Sequence, residues 1–129
     1  MPDSAHRRPP FVTKASIPLW HVGQHARLLD RLDDLFFEIS LRQRDTVISG
    51  LLLVSARRFL ADTYRLVSRE PNCRALLRLP PGPEIATAVL CTALRDAKMG
   101  LAAFQRNHSD DDSTREDGWL VHEPDEPTY

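Results

Sequence analysis

The stretch TVISGLLLVSARRFLADTYRLVS, residues 46–68, decides the fold, because it is the longest apolar segment of this 129-residue chain and contains no proline. Its length predicts a helix of about six turns at about 3.6 residues per turn. The first half is apolar on nearly every side, which is typical of a helix that is buried or covered by a partner. The second half is amphipathic, with arginines opposite the apolar face. The apolar run is shorter than the roughly 20 residues that span a bilayer, so we expect no membrane contact.

Two further segments show helical periodicity. Residues 22–41 place leucines and a phenylalanine on one face and charged residues on the other, whereas residues 84–106 place mostly small apolar residues on one face. Between the first two helices, residues 40–45 contain no Gly or Pro, although Asp45 is a suitable N-cap. A turn there makes a helical hairpin, whereas its absence makes one helix of about 70 Å at about 1.5 Å per residue. We expect the hairpin.

These patterns predict an all-α fold, a small three-helix domain in which a helical hairpin and a third helix occupy residues 21–106. Four prolines within residues 1–19 predict that residues 1–20 form a flexible arm. Residues 107–129 contain one Arg and eight acids, a net charge of −7, so we expect an acidic disordered tail. Three helices leave little material to cover every apolar face, and small domains often use oligomers for this purpose, so we also expect a homodimer.

Arginines cluster in the region of residues 57–78, which contains six of them against only Asp62 and Glu70. Such a basic stripe binds phosphates or an acidic partner, although a solvated helix face with local ion pairs explains it equally simply. Within the acidic tail, Trp119-Leu120-Val121 is an apolar island, a pattern typical of disordered segments that fold onto partners. The predicted partner-binding residues are therefore Arg57, Arg58, Arg65, Arg69, Arg74, Arg78, Trp119 and Leu120. We also hypothesise that the tail folds back over the Arg stripe until a partner displaces it.

Signals for catalysis or metal binding are weak. His21 and His25 have the spacing of two metal ligands on a helix, but Val22 stands where a zincin motif needs Glu, and no third ligand is near in sequence. No G-x-S-x-G motif or glycine cluster occurs, so we predict no catalytic residue, no metal and no cofactor. Cys73 and Cys91 belong to no redox or metal motif, and the first ten residues are polar and proline-rich, so we expect a cytoplasmic protein.

The sequence therefore predicts a non-enzymatic helical interaction protein, an adaptor, regulator or assembly factor, that acts through protein–protein contacts. One alternative is a nucleic-acid-binding regulator that uses the Arg stripe. It is less favoured because the pI is about 6.5 and no helix-turn-helix signature is evident. The other alternative is an enzyme or metal protein built around His21 and His25. The pattern does not identify the partner.

Overall fold

The computed structural model describes residues 15–42, 45–70 and 78–122. Within them, short strands alternate with three helices, which confirms the predicted number of helices. In chain order the elements are β1 (Ile17–Pro18), α1 (Leu19–Ser40), β2 (Val47–Ser49), α2 (Gly50–Val67), β3 (Glu84–Ala86), α3 (Thr87–Asn107) and β4 (Val121–His122). Strands β1 and β4 pair in parallel, and β2 and β3 pair antiparallel.

The first two helices are separate and antiparallel, as expected for a hairpin. Arg31 of α1 forms an ion pair with Asp62 of α2. Towards the other end of the same interhelical groove, Arg42 and Leu51 line the walls together. Residue numbers therefore rise along α1 as they fall along α2. The third helix packs against both, and the apolar faces of the three helices meet in one core.

Two strand pairs correct the prediction of a strictly all-α fold. Strand β2 pairs Ile48 with Ile85 of β3, and both side chains are buried. β-branched residues favour such extended pairing over the first turn of a helix. Helices α2 and α3 therefore begin at Gly50 and Thr87, several residues later than their sequence patterns predict.

The start of α2 also differs in its cap. The N-cap residue is Ser49 rather than Asp45, and its side chain makes no capping hydrogen bond. Gly50 has a φ of 66°, in the left-handed region that glycine adopts without steric cost. This glycine lets the chain turn directly from strand β2 into helix α2.

The core is built from the faces that helical periodicity predicts. Phe59 and Phe104 are the largest fully buried side chains. On α3, Ala93, Ala97 and Gly100 are buried, and their small size allows the neighbouring helices to approach closely. Burying each large apolar side chain contributes about 1.5–3 kcal/mol to folding.

The chain termini are more ordered than the sequence predicts, over the part that the structure describes. Strand β4 pairs with β1, and the amide of Leu120 donates to the carbonyl of His108. Trp119 is only 6% exposed. Residues 15–20 and 107–122 therefore do not belong to a flexible arm and a disordered tail, because backbone pairing and an aromatic anchor attach them to the core. The remainder of both predicted ends, residues 1–14 and 123–129, lies outside the described residues.

Candidate functional site

One line of side chains runs along the solvent face of α2, and all its members are exposed. We call this line the outer stripe; in chain order it consists of Leu51, Val54, Arg58, Ala61 and Arg65. The spacing alternates between three and four residues, which aligns side chains along one helix face and is the repeat used when helices pack together. Leu51 is 85% exposed and Val54 is 51% exposed. The stripe is therefore apolar in its first two turns and basic in its later turns.

The two arginines of the outer stripe differ in their partners. Arg58 forms no ion pair with another described residue. Arg65, with its side chain 76% exposed, donates to Asp62 Oδ1 at 2.9 Å, while Asp62 Oδ2 accepts from Arg31 at 2.8 Å. Exposed pairs of this kind contribute only about 0–1 kcal/mol. Both guanidinium groups are therefore accessible to a ligand at little cost.

Depressions flank the outer stripe on both sides. The groove towards α1 has a volume of about 720 Å³ and mixes both signs of charge, with Asp34 and Glu38 on its α1 wall. The depression on the opposite side has a volume of about 380 Å³ and includes Tyr64, Arg65 and Arg78. No acidic side chain is among the described residues that line this second depression. The α2 surface is therefore more basic on the side away from α1.

The structure brings Arg57, Arg65 and Arg78 to one depression beside α2 and gives the predicted partner-binding arginines different surroundings. Arg58 and Arg65 share the outer stripe, and Arg78 lies in the adjoining depression. Arg69 is exposed beyond the end of α2. Arg57 Nη2 instead donates to the carbonyls of Pro80 and Gly82 at 2.8 and 3.0 Å, so it holds the segment before β3 against α2. Arg74 lies outside the described residues.

Leu51 and Val54 were not among the residues predicted to bind a partner, yet they are the exposed apolar part of the stripe. The sequence contained an indication of this surface, because the first half of the apolar segment has more apolar residues than one buried helix face can hold. Their neighbours Leu52 and Leu53 face the core. A periodicity pattern shows that surplus apolar residues exist but does not show which of them a third helix covers.

Trp119 and Leu120 lie elsewhere, at the end of the domain where β4 meets β1. Trp119 belongs to an aromatic–histidine cluster that we define as His21, His25, Phe104, His108 and Trp119. His25 stacks on Phe104 with a centroid distance of 5.8 Å, and Trp119 meets His25 edge-on at 5.0 Å. The buried position of Trp119 makes it part of the internal packing rather than an accessible contact for a partner.

The ring nitrogens of His108 in the aromatic–histidine cluster are both satisfied by neighbouring groups outside the cluster. His108 Nδ1 donates to the carbonyl of Ala15 at 2.7 Å, and His108 Nε2 lies 3.0 Å from both carboxylate oxygens of Glu70. Asn107 Nδ2 donates to Glu70 Oε1 at 3.0 Å. Because a carbonyl oxygen only accepts, His108 Nδ1 carries a hydrogen. His108 thereby joins the chain before β1, the end of α2 and the end of α3.

The remaining two histidines of the cluster have lowered pKa values. Burial lowers the pKa of His25, which the hydrogen bond to the Leu101 carbonyl partly offsets. Burial also lowers the pKa of His21; His108 lowers it further, Glu70 opposes the change, and His122 adds a small decrease. His21 Nδ1 is buried without a hydrogen-bond partner among the described residues. Protonation of either imidazole therefore opposes the folded arrangement.

The cluster does not have the arrangement of a metal site. His25 Nε2 donates to the Leu101 carbonyl at 2.9 Å, so this nitrogen carries a hydrogen and is not free to bind a metal. Across residues 15–42, 45–70 and 78–122, no three His, Cys, Asp or Glu side chains are arranged to hold a metal ion. The structure thus adds no third ligand to the His21 and His25 pair.

A serine–histidine contact appears that the sequence analysis missed. Ser16 Oγ lies 2.6 Å from His122 Nδ1, and both residues are exposed at the paired β1 and β4 strands. A catalytic serine needs a base that a third group orients, and no such group contacts His122 within the described part of the chain. The contact is explained by its position, because it joins the two strands next to their pairing.

Comparisons with known proteins return no similarity: no protein-family model matches the chain, no curated protein matches its sequence, and no solved structure matches it. Within the described residues, no helix is both long and apolar enough to cross a bilayer.

Proposed function

We propose that this protein is a non-enzymatic helical interaction protein that binds another protein through the outer stripe of α2. The observation that carries the proposal is the 85% exposure of Leu51 beside the half-exposed Val54 on a regular helix face. Exposed apolar residues aligned at helix-packing spacing are typical of a protein–protein contact. Arg58 and Arg65 extend the same line and supply charge for selectivity.

The position of Leu51 supports a binding role better than a folding role. Its neighbours Leu52 and Leu53 are 8% and 3% exposed, so the core is already filled at this turn. Transferring a leucine side chain from water to an apolar surface is worth about 1.5–3 kcal/mol. A partner that covers Leu51 and Val54 gains this energy at a pre-formed helix, without first ordering the chain.

Nucleic-acid binding is the second candidate, and the side of α2 that faces Arg78 favours it. Arg65 and Arg78 approach the same depression, whose described lining contains no acid. Phosphate groups, however, provide no complement for Leu51 and Val54. A protein partner accounts for both halves of the stripe, so we place it first. An adaptor or regulator in the cytoplasm is the setting that we propose for it.

Affinity capture with chemical crosslinking from the native cell tests the proposal. The bait is the full chain, and the test variant is Leu51→Glu. The matched control is Met99→Glu, because Met99 is 69% exposed on α3 and far from α2 in sequence. We expect one or more crosslinked proteins that are lost with Leu51→Glu and retained with Met99→Glu. Identical partner sets for the wild type and Leu51→Glu would exclude the outer stripe as the binding surface.

A further inference from the structure

We infer that the outer stripe binds an amphipathic helix of a different protein, whose matching face is apolar at one end and acidic at the other. This inference rests on the proposed function and identifies the class of partner. The stripe presents Leu51 and Val54 first and Arg58 and Arg65 later, along about four turns of α2. A complementary helix places leucine or valine against the former and Glu or Asp against the latter.

The partner is a helix because of the spacing on α2. Residues that alternate three and four apart form the ridge that a second helix packs against, with the two axes nearly aligned. Ala61 separates the two arginines on this ridge and is exposed. A small residue at that position allows close approach of another backbone between two long side chains. An extended peptide would instead need unpaired backbone groups at a sheet edge.

The charge pattern argues against a second copy at this surface. If two α2 helices paired in parallel through the stripe, Arg58 would face Arg58 and Arg65 would face Arg65. If they paired antiparallel about Arg58, that residue would still face its own copy, and Leu51 would face Arg65. Like charges that face each other destabilise an interface. The homodimer predicted from the sequence would therefore require another part of the surface.

The acids of α1 define the side on which the partner helix lies. Asp34 and Glu38 line the groove towards α1 and would repel an acidic helix, which offsets the attraction of Arg31 and Arg42 on the same wall. On the other side, Arg65 and Arg78 approach the depression that includes the half-exposed Tyr64. The partner helix therefore lies over the ridge and towards Tyr64 and Arg78. The salt dependence of binding follows, because these arginines are exposed and their attraction is screened.

A displayed library of helical peptides tests this inference directly. The peptides are about 20 residues long, and their stripe positions are randomised among Leu, Ala, Glu and Lys. The bait is the full chain, with Arg58→Glu/Arg65→Glu as the charge-reversed bait and Arg27→Glu as the control, because Arg27 is exposed on α1. With two peptide positions facing Arg58 and Arg65, we expect about tenfold enrichment of Glu over Lys at those positions.

The expected result is enrichment of leucine and Glu with the wild-type and Arg27→Glu baits, and enrichment of Lys with the charge-reversed bait. A neutral bait, Arg58→Gln/Arg65→Gln, should remove the preference for either sign. Equal frequencies of Glu and Lys with the wild-type bait would overturn the inference. The inference would also be overturned if a duplex DNA competed with the peptides and bound Leu51→Glu as well as the wild type. A dimer in light scattering that Leu51→Glu dissociates would overturn it too.

The crosslinking experiment tests the proposed function, and the display tests the class of partner, so a negative result in one can be told from a negative result in the other. If Leu51→Glu abolishes capture of a cellular partner but the display shows no charge preference, the proposed function holds and the acidic helix is wrong. If Leu51→Glu captures the same proteins as the wild type, the proposed function itself fails, whatever the display selects.

Discussion

The outer stripe of α2 and the aromatic–histidine cluster use polar side chains in opposite ways. In the cluster, the His108 side chain pairs with the neighbouring carboxylate of Glu70, and each of the two side chains is only 11% exposed. In the outer stripe, Arg65 is 76% exposed, and Arg58 has no ion pair to another described residue. Buried polar groups need partners because an unpaired one costs about 1–3 kcal/mol. Exposed ones do not, so of these two regions it is the outer stripe whose charged groups another molecule can reach.

The apolar side chains of the cluster and of the outer stripe also differ in whether they are buried. Trp119 closes the cluster by covering His25 and Phe104, whereas the side chain of Leu51 is 85% exposed. The polar character of the surrounding sequence is therefore a poor guide to exposure in these two segments. The tryptophan lies in an acidic segment and is buried, while the leucine lies in the most apolar segment and is exposed.

The largest expected effect is on the cluster, where Trp119→Ala removes the aromatic side chain that attaches residues 108–122. Truncating a buried aromatic residue costs about 3–5 kcal/mol of unfolding free energy, which urea denaturation measures. Trp20→Ala is the matched control, because Trp20 is 60% exposed, and it should cost less than about 0.5 kcal/mol. Similar losses in the two variants would mean that Trp119 does not anchor the segment.

A smaller loss is expected from His108→Ala, which removes the donors to Ala15 and Glu70 and leaves the carboxylate of Glu70 with fewer partners. Hydrogen bonds to charged groups are worth about 1.5–3 kcal/mol, so we expect a loss of this size in the unfolding free energy. His122→Ala is the control, because His122 is exposed and its one hydrogen bond to a described side chain is with Ser16. An equal loss in both variants would contradict the role of His108.

Acid should weaken the cluster and leave the outer stripe unchanged. The folded pKa values of His21 and His25 are below their ordinary 6.5, so the unfolded chain binds more protons below that pH. Stability is therefore full above pH 6.5 and falls as the pH decreases through the lowered values. Urea midpoints between pH 7.5 and 5.5 should decrease, and less so in His21→Gln and His25→Gln. A midpoint that does not change with pH would show that neither imidazole opposes protonation.

The smallest effect on stability is expected in the outer stripe. Leu51→Glu should change the unfolding free energy by less than about 0.5 kcal/mol, because the leucine is 85% exposed. Leu53→Glu, two residues further along α2 on the buried face, is the contrast and should prevent folding or cost several times more. Circular dichroism during thermal unfolding distinguishes them. A large loss in Leu51→Glu would show that Leu51 supports the fold and is not reserved for a partner.

The helices and their buried faces could be predicted from local spacing in the sequence. Leu28, Leu32 and Leu35 recur at helical spacing, and the structure buries all three. The hairpin was also predictable, because the apolar phase lapses after residue 41 and the capping preference of Asp45 indicates a new helix start. The N-cap in the structure is Ser49 instead. Local spacing is enough for such predictions, since residues three and four apart share a face wherever the chain is helical.

Which residues lie on the surface at the ends of these elements depends on contacts between segments distant in sequence. Strand β1 pairs with β4 across about a hundred residues, and that pairing places Trp119 over His25. Strand β2 likewise takes three residues from the predicted start of the second helix because β3 is beside it. No local pattern encodes such contacts, because their stability comes from groups distant in sequence. The exposure of Leu51 follows from the same cause: α1 and α3 cover the other sides of α2 and leave this one open.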